Sequence, residues 1–224
     1  MKENRIKIYG LIVGVIMFIC LIAGFTYAYY EASVSTEEIS GTVCLIVDED
    51  DYGKSNNVSM TNGEFKLLDE SAIINQTNNT ITVTSGMAMA YVTAGINSSC
   101  NIEGYIDINM NVTTLDKTFT SGGDCAGALK YVIASFNPTT YTAPTIANTN
   151  GTSFTIIGSG SITSTGNQQI YEGQLPNNGS QNGYMILFYV DGNLANTHNT
   201  EGDQWSANFA GTISAVANQG NLND

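Results

Sequence analysis

Hydrophobic and polar residues alternate along most of this chain with the two-residue period of a β-strand. The clearest example is Tyr105–Leu115, where apolar residues at every second position predict a buried face and the polar residues between them predict a solvated one. Tyr184–Val190 is apolar at every position, which predicts a central strand covered on both sides. No stretch after Tyr30 shows a strong helical period. The pattern therefore predicts an all-β body.

About ten such segments follow one another, separated by turns rich in Gly, Asn, Asp and Pro. They are Ile39–Val47, Ser71–Ile74, Thr80–Thr84, Met87–Ile96, Tyr105–Leu115, Ala128–Asn137, Ser153–Gly158, Gln168–Glu172, Tyr184–Val190 and Trp205–Ala217. Closely spaced strands without intervening helices pair antiparallel and bury one face against a second sheet. We predict an antiparallel, jelly-roll-like β-sandwich over residues 39–217, followed by a polar tail, 218–224.

The N-terminus has a different pattern. Residues 8–30 contain no charged side chain, and Lys2, Arg5 and Lys7 precede them. A helix of this length spans the ~30 Å hydrocarbon core of a bilayer. The residues ahead of the sandwich are therefore expected to form one hydrophobic helix that contacts the membrane.

The end of this apolar segment has small residues where a signal peptidase inspects the chain. Cleavage between Ala28 and Tyr29 would make residues 1–28 a signal peptide. The segment is longer than the apolar part of most signal peptides, so an uncleaved membrane anchor is the alternative. Either arrangement places the rest of the chain outside the cell, with residues 29–38 as a flexible joining segment.

Charge is distributed unevenly along the chain. The first 28 residues hold three of the 7 Lys and Arg residues and one of the 20 Asp and Glu residues, which leaves the remainder with a formal charge of −15. Such a field repels nucleic acid and anionic lipid headgroups, so we expect no nucleic-acid partner. It suits a soluble extracellular protein or one that binds cations.

The densest acidic segment is Asp48–Asp51. Oxygen ligands at alternate positions make Asp48 and Asp50 a candidate calcium site. The alternative is a solvated acidic turn, because Tyr52 and Ser59 stand where a calcium-binding loop carries ligands. Calcium is thus the one candidate cofactor that the sequence suggests.

Catalytic chemistry has few candidate residues. The chain has one histidine, His198, so it cannot supply the histidine ligands of a zinc peptidase. His198 lies near Glu201 and Asp203, but no nucleophile motif accompanies it, and an exposed loop histidine is the expected role. Asp191 with Glu201 and Asp203 is a second, less favourable metal candidate. We predict that the protein is not an enzyme.

Three of the four cysteines follow the leader, and in an oxidising compartment they allow one disulfide. Cys20 lies in the leader, which leaves Cys44, Cys100 and Cys125. Cys100 and Cys125 flank one strand and its following loop, so we predict that they pair. Cys44 would then be a buried free thiol in the first strand.

The end of the leader resembles that of TasA-type biofilm fibre proteins and camelysins. The resemblance rests on residues 24–29 (GFTYAY), with looser similarity at residues 39–43 (ISGTV) and Trp205–Val216. In that family a dedicated signal peptidase cuts after the Ala, and the mature chain is an extracellular β-sandwich that polymerises into matrix fibres. Camelysins have been classed as metallopeptidases, but a single histidine argues against that activity in this chain.

The sequence thus favours an exported cell-surface structural protein, a fibre or biofilm-matrix subunit that assembles through its sheet edges with itself or with related surface proteins. The alternative is an adhesin-like module that recognises extracellular glycan or protein and is held at the membrane by residues 8–30.

Overall fold

Two β-sheets pack face to face, and the residues between them form the main hydrophobic core. The computed structural model describes residues 44–48, 57–60, 66–119, 127–177, 179–197 and 205–219. All of these belong to one compact unit, Ile39–Asp224. The predicted leader and the joining segment fall outside the described residues. None of the described helices is long and apolar enough to cross a membrane.

The described part of the chain contains twelve strands and three short helices. The strands are β1 (Leu45–Asp48), β2 (Asn57–Met60), β3 (Leu67–Leu68), β4 (Ile74–Asn75), β5 (Thr80–Thr82), β6 (Ala88–Ile96), β7 (Gly104–Phe119), β8 (Leu129–Phe136), β9 (Ser153–Ser161), β10 (Gly166–Gln174), β11 (Gln181–Asp191) and β12 (Trp205–Gln219). The helices are α1 (Glu70–Ile73), α2 (Ile146–Thr149) and α3 (Gly192–Thr197).

The larger sheet has eight strands in the order β1-β6-β11-β8-β9-β5-β4, with β3 paired to the end of β11. The smaller sheet has four strands in the order β10-β7-β12-β2. Every pairing is antiparallel except that of β3 with β11. The predicted antiparallel β-sandwich is confirmed. The strand count exceeds ten because β2, β3 and β4 are short pairings without a long alternating pattern.

Strand β11 is buried on both faces, as its continuous apolar sequence predicts. Its residues Ile186 and Phe188 point into the core between the two sheets. The alternate residues Met185, Leu187 and Tyr189 belong to a second core on the opposite face of the eight-stranded sheet. The larger sheet therefore separates two hydrophobic layers.

The second core is covered by two irregular parts of the chain. One is α1, which contributes Ile73. The other is the loop after β8, which contributes Tyr141 and, from α2, Ile146. Tyr141 contacts Phe154 edge to face, with ring centroids 5.4 Å apart. These segments form a covering layer on part of that face of the sheet.

The predicted strand Ser71–Ile74 is wrong over most of its length, because Glu70–Ile73 is helical. Asp69 caps this helix, since its side chain accepts a hydrogen bond from the backbone N–H of Ser71 at 3.0 Å. The Asp69 carboxylate thus provides an acceptor for a backbone N–H in the first turn of the helix. In a strand, that N–H would need an acceptor on a neighbouring strand. The four apolar and polar residues alone could not distinguish one helical turn from a short strand.

The predicted disulfide is also wrong, because Cys100 pairs with Cys44 and Cys44 is not a free thiol. Strand β1 aligns Leu45 with Ile96, which places Cys44 beside the turn that follows β6. The backbone N–H of Asn97 donates to the Cys44 carbonyl at 2.8 Å, and the two cysteine Cα atoms lie 5.6 Å apart. Strand pairing rather than closeness in sequence decides the partner. Cys125 lies outside the described residues.

Candidate functional site

The four-stranded sheet ends in a long edge strand, β10. Its nine residues pair with β7 along one side, from Gly166 opposite Val112 to Gln174 opposite Tyr105. No strand in the described part of the chain pairs with its other side. An unpaired strand side presents backbone N–H and C=O groups to any extended segment that can align with it.

Few features protect this edge from such pairing. Asn167, Gln169 and Gln174 are exposed and uncharged, and Glu172 is the one charged residue of β10. The strand contains no Lys or Pro, the residues that commonly block an edge. Its one irregularity is a shift of register between Gln169 and Tyr171. The sheet edges formed by β1, β2 and β4 have four residues or fewer, so β10 offers the longest docking edge among the described strands.

A second candidate site is a cluster of charges beside α1. Lys130 on β8 contacts the Glu70 carboxylate, and its ammonium donates to Asp191 Oδ2 at 2.8 Å. The Asp191 side chain is only 5% exposed, against 20% for Lys130 and 33% for Glu70. The cluster joins the larger sheet to the layer that covers it.

Backbone donors hold Asp191 as a carboxylate. Its Oδ1 accepts hydrogen bonds from the N–H groups of Asn193 at 2.9 Å and Leu194 at 3.3 Å, at the start of α3. Burial alone would raise the pKa of Asp191, but its hydrogen bonds, including those from Lys130 and the Leu194 backbone, hold that pKa below its ordinary value of 3.8. Burial alone would also lower the pKa of Lys130, yet the hydrogen bonds and charges of Asp191 and Glu70 raise it. Both shifts favour the ion pair.

Tyr189 and Asp69 extend this network. Tyr189 is buried, and its pKa is raised chiefly by burial and further by the charges of Glu70 and Asp191. Asp69 Oδ1 accepts from the Ser71 hydroxyl at 2.7 Å and from Asn193 Nδ2 at 3.2 Å. The side chain of Asn193 therefore links the start of α3 to the start of α1.

An open groove of about 930 Å³ runs beside the charged cluster. Carboxylate, amide and hydroxyl side chains form most of its wall, from Glu70, Ser71, Asn75, Gln76, Asn78, Thr80, Thr82, Ser153, Asp191 and Asn193. Such a wall can hydrogen-bond a polar ligand. The chain's one histidine lies outside the described residues, and these contain no group of three metal-ligating side chains.

A third polar cluster lies on the outer face of the four-stranded sheet. Asp107 on β7 is 6% exposed. Its two carboxylate oxygens accept from Gln169 Nε2 on β10 at 2.7 Å and from Asn218 Nδ2 on β12 at 3.0 Å. Burial raises the pKa of Asp107 and the charge of Glu172 adds to this, while the two hydrogen bonds oppose it. The cluster links three neighbouring strands, including the edge strand.

The raised pKa of Asp107 predicts a pH effect on stability. Because the folded state binds this proton more readily than the unfolded chain, Asp107 contributes less stability as pH rises from 3.8 through its raised folded pKa. The stability of Asp107→Asn relative to the wild type should therefore rise across that window, as measured by urea midpoints. Asp116→Asn, at an exposed position of the same strand, is the control. Identical pH profiles for wild type and Asp107→Asn would contradict the prediction.

Most of the site residues predicted from the sequence do not belong to the edge strand or to the clusters described above. Asp48 is the last residue of β1, and Asp50 lies outside the described residues. The same holds for the Ala28–Tyr29 cleavage point and His198. The calcium site and the processing site therefore stay predictions.

Of the metal candidate Asp191, Glu201 and Asp203, the structure describes only Asp191. Asp191 lies beside Lys130, and the other two residues are outside the described part. The cluster of Lys130, Glu70 and Asp191 was missed. Its one signal was a lysine in a mostly apolar strand, in a chain with few lysines.

Comparison with protein-family models and with curated proteins found no match for this sequence. The functional argument therefore rests on the residues and the geometry described above.

Proposed function

We propose that this protein is an exported, non-enzymatic cell-surface protein, a fibre or biofilm-matrix subunit that assembles through its sheet edges. The observation that carries the proposal is β10, a nine-residue edge strand with one free side in the described structure. A strand added there would continue the four-stranded sheet from one molecule into the next. Backbone hydrogen bonds would supply the affinity, so little side-chain chemistry is required.

The proposed donor is the segment 29–38 of a neighbouring copy. It has ten residues, which matches the nine of β10, and Tyr30, Ala32, Val34 and Thr36 give it a strand-like alternation. Cleavage after Ala28 would free this segment. The donor is thus made available by export, at the place where fibres are needed.

Other features agree with an extracellular role. The Cys44–Cys100 disulfide suits an oxidising compartment, and the charge of −15 suits solubility outside a cell. We further propose a jelly-roll-like connectivity and an N-terminal hydrophobic helix that contacts the membrane before cleavage. The proposal needs no cofactor, and calcium at Asp48 and Asp50 would only modulate assembly.

Blocking the edge should prevent assembly. We expect Asn167→Lys combined with Gln174→Lys to abolish filaments seen by electron microscopy of the secreted protein, because two lysines on the free edge disfavour strand addition. The matched control is Thr140→Lys combined with Ala147→Lys, which adds the same charge at exposed positions away from β10, in the loop after β8 and in α2. Deletion of residues 29–36 should have the same effect as blocking the edge.

Hydrogen exchange tests the same contact directly. Amide protons of residues 166–174 that exchange rapidly in the monomer should become protected in filaments. Filaments that form normally in the edge variant, or that leave this strand unprotected, would reject the proposal.

The open polar groove favours a second function, an adhesin-like module that binds extracellular glycan through amide and hydroxyl groups. In that case the protein would stay tethered through residues 8–30. The mass of the mature N-terminus separates the two functions. A chain that begins at Tyr29 supports release and assembly, and one that retains Met1 supports a tethered binding module.

A further inference from the structure

The charged cluster at α1 places an amine against two carboxyl groups on separate parts of the chain. We infer that Lys130 and Glu70 form an intramolecular amide bond in the mature protein, with Asp191 as the base for the reaction. Lys130 contacts Glu70 directly and lies 2.8 Å from Asp191 Oδ2. The residues that would be joined are 60 positions apart in sequence. The bond would tie the covering layer covalently to the central sheet.

The surroundings assign different roles to the two carboxyl groups. Asp191 accepts hydrogen bonds from two backbone N–H groups and from Lys130, and these donors hold it as the carboxylate. Glu70, whose side chain is the more exposed of the two, is the carboxyl group that reacts, and it reacts in its protonated form. A protonated carboxyl group is the electrophile, since its hydroxyl can leave as water. Asp191 remains ionised and can accept a proton from the ammonium.

The reaction balances without any co-reactant. The Lys130 ammonium passes one proton to Asp191, and the neutral amine attacks Cδ of Glu70 to form a C–N bond. The C–O bond to the Glu70 hydroxyl then breaks, and that hydroxyl leaves as water with a second proton from the nitrogen. The products are one amide, one water molecule and one proton, which passes from Asp191 to solvent.

The ion pair is the unreactive resting form, so the reaction is slow, but each molecule needs it only once. Partial burial of Lys130 favours the reaction, since a lysine amine becomes a better nucleophile when it is desolvated. Lys130 is 20% exposed, and the buried Tyr189 lies directly opposite it on β11.

Mass spectrometry of the full secreted chain tests the inference. After reduction of the disulfide and denaturation, we expect the protein to be lighter than its sequence by one water molecule. Lys130 is the last basic residue of the chain, so trypsin should fail to cut there. The fragment 118–224 should remain intact and joined to the fragment 67–117, which contains Glu70.

Two variants separate this bond from a simple ion pair. Lys130→Arg keeps the positive charge but cannot form the amide, and Asp191→Asn removes the base. Both should have the full sequence mass, while the control Lys66→Arg should still lose water. A cooperative thermal transition and an intact Cys44–Cys100 disulfide show that each variant has folded.

Three results would overturn the inference. One is an unmodified mass for the folded wild-type protein, and another is water loss that persists in Lys130→Arg. The third is an uncut fragment 118–224 with fragment 67–117 released, which would place the bond on Asp191 in place of Glu70. None of these measurements depends on whether filaments form.

Discussion

Replacement of Cys44 by serine should lower the free energy of unfolding by about 4 kcal/mol, one of the two largest effects that we expect. The disulfide joins residues 56 positions apart, and a cross-link that closes a loop of this size restricts the unfolded chain by roughly that amount. It also holds β1, a four-residue edge strand, against the turn after β6. Urea unfolding under non-reducing conditions measures the loss.

The cysteine variants also distinguish the observed pair from the predicted one. Cys100→Ser and the double variant Cys44→Ser/Cys100→Ser should lose about as much as Cys44→Ser alone, because each removes the same bond. Cys125→Ser should keep nearly the full stability. A loss in Cys125→Ser that equals the loss in Cys100→Ser, with Cys44→Ser unaffected, would restore the Cys100–Cys125 pair.

Shortening a buried side chain on either face of the central strand β11 should destabilise the protein. Phe188 is fully buried between the sheets and stacks obliquely on Phe209, with ring centroids 5.1 Å apart. We expect Phe188→Ala to lower stability by about 3–5 kcal/mol through lost burial and the cavity left behind. Leu187 points to the other face and is equally buried, so Leu187→Ala should lose about 2–5 kcal/mol. Denaturant midpoints at constant m-value measure both.

The comparison of the two faces is the sharper part of this test. A sandwich of two sheets alone would leave Leu187 exposed, and its truncation would then change little. Leu67→Ala is the control, because Leu67 is 45% exposed and should lose less than 1 kcal/mol. A neutral Leu187→Ala would show that the covering layer does not pack on the sheet.

The strands that were predicted best are those with long, regular patterns. Strand β7 alternates as its sequence indicates, and β11 is covered on both faces because every residue from Tyr184 to Val190 is apolar. Short elements were predicted less well. The segment Ser71–Ile74 was predicted as a strand, but most of it is the helical turn α1, which Asp69 caps. Local competition between backbone conformations decides such segments, and four residues contain too little periodicity to resolve it.

The candidate sites were less predictable than the sheets. Among the described strands, β10 has an unpaired side because it lies last in its sheet, and no local sequence pattern predicts strand order. The charged cluster brings together residues that are distant in the chain. Lys130 is 60 positions from Glu70 and 61 positions from Asp191. Such clusters need the register of β8 with β11 and the position of α1 over them.

The sequence by itself determined the β-class of the body, its strongly negative charge and the positions of its longest strands, because these follow from residue type and period alone. The tertiary structure decided the disulfide partner, the sheet order, the covering layer and the charged cluster. These depend on contacts between residues that are distant in the chain, and their geometry exists only after the strands have paired and packed.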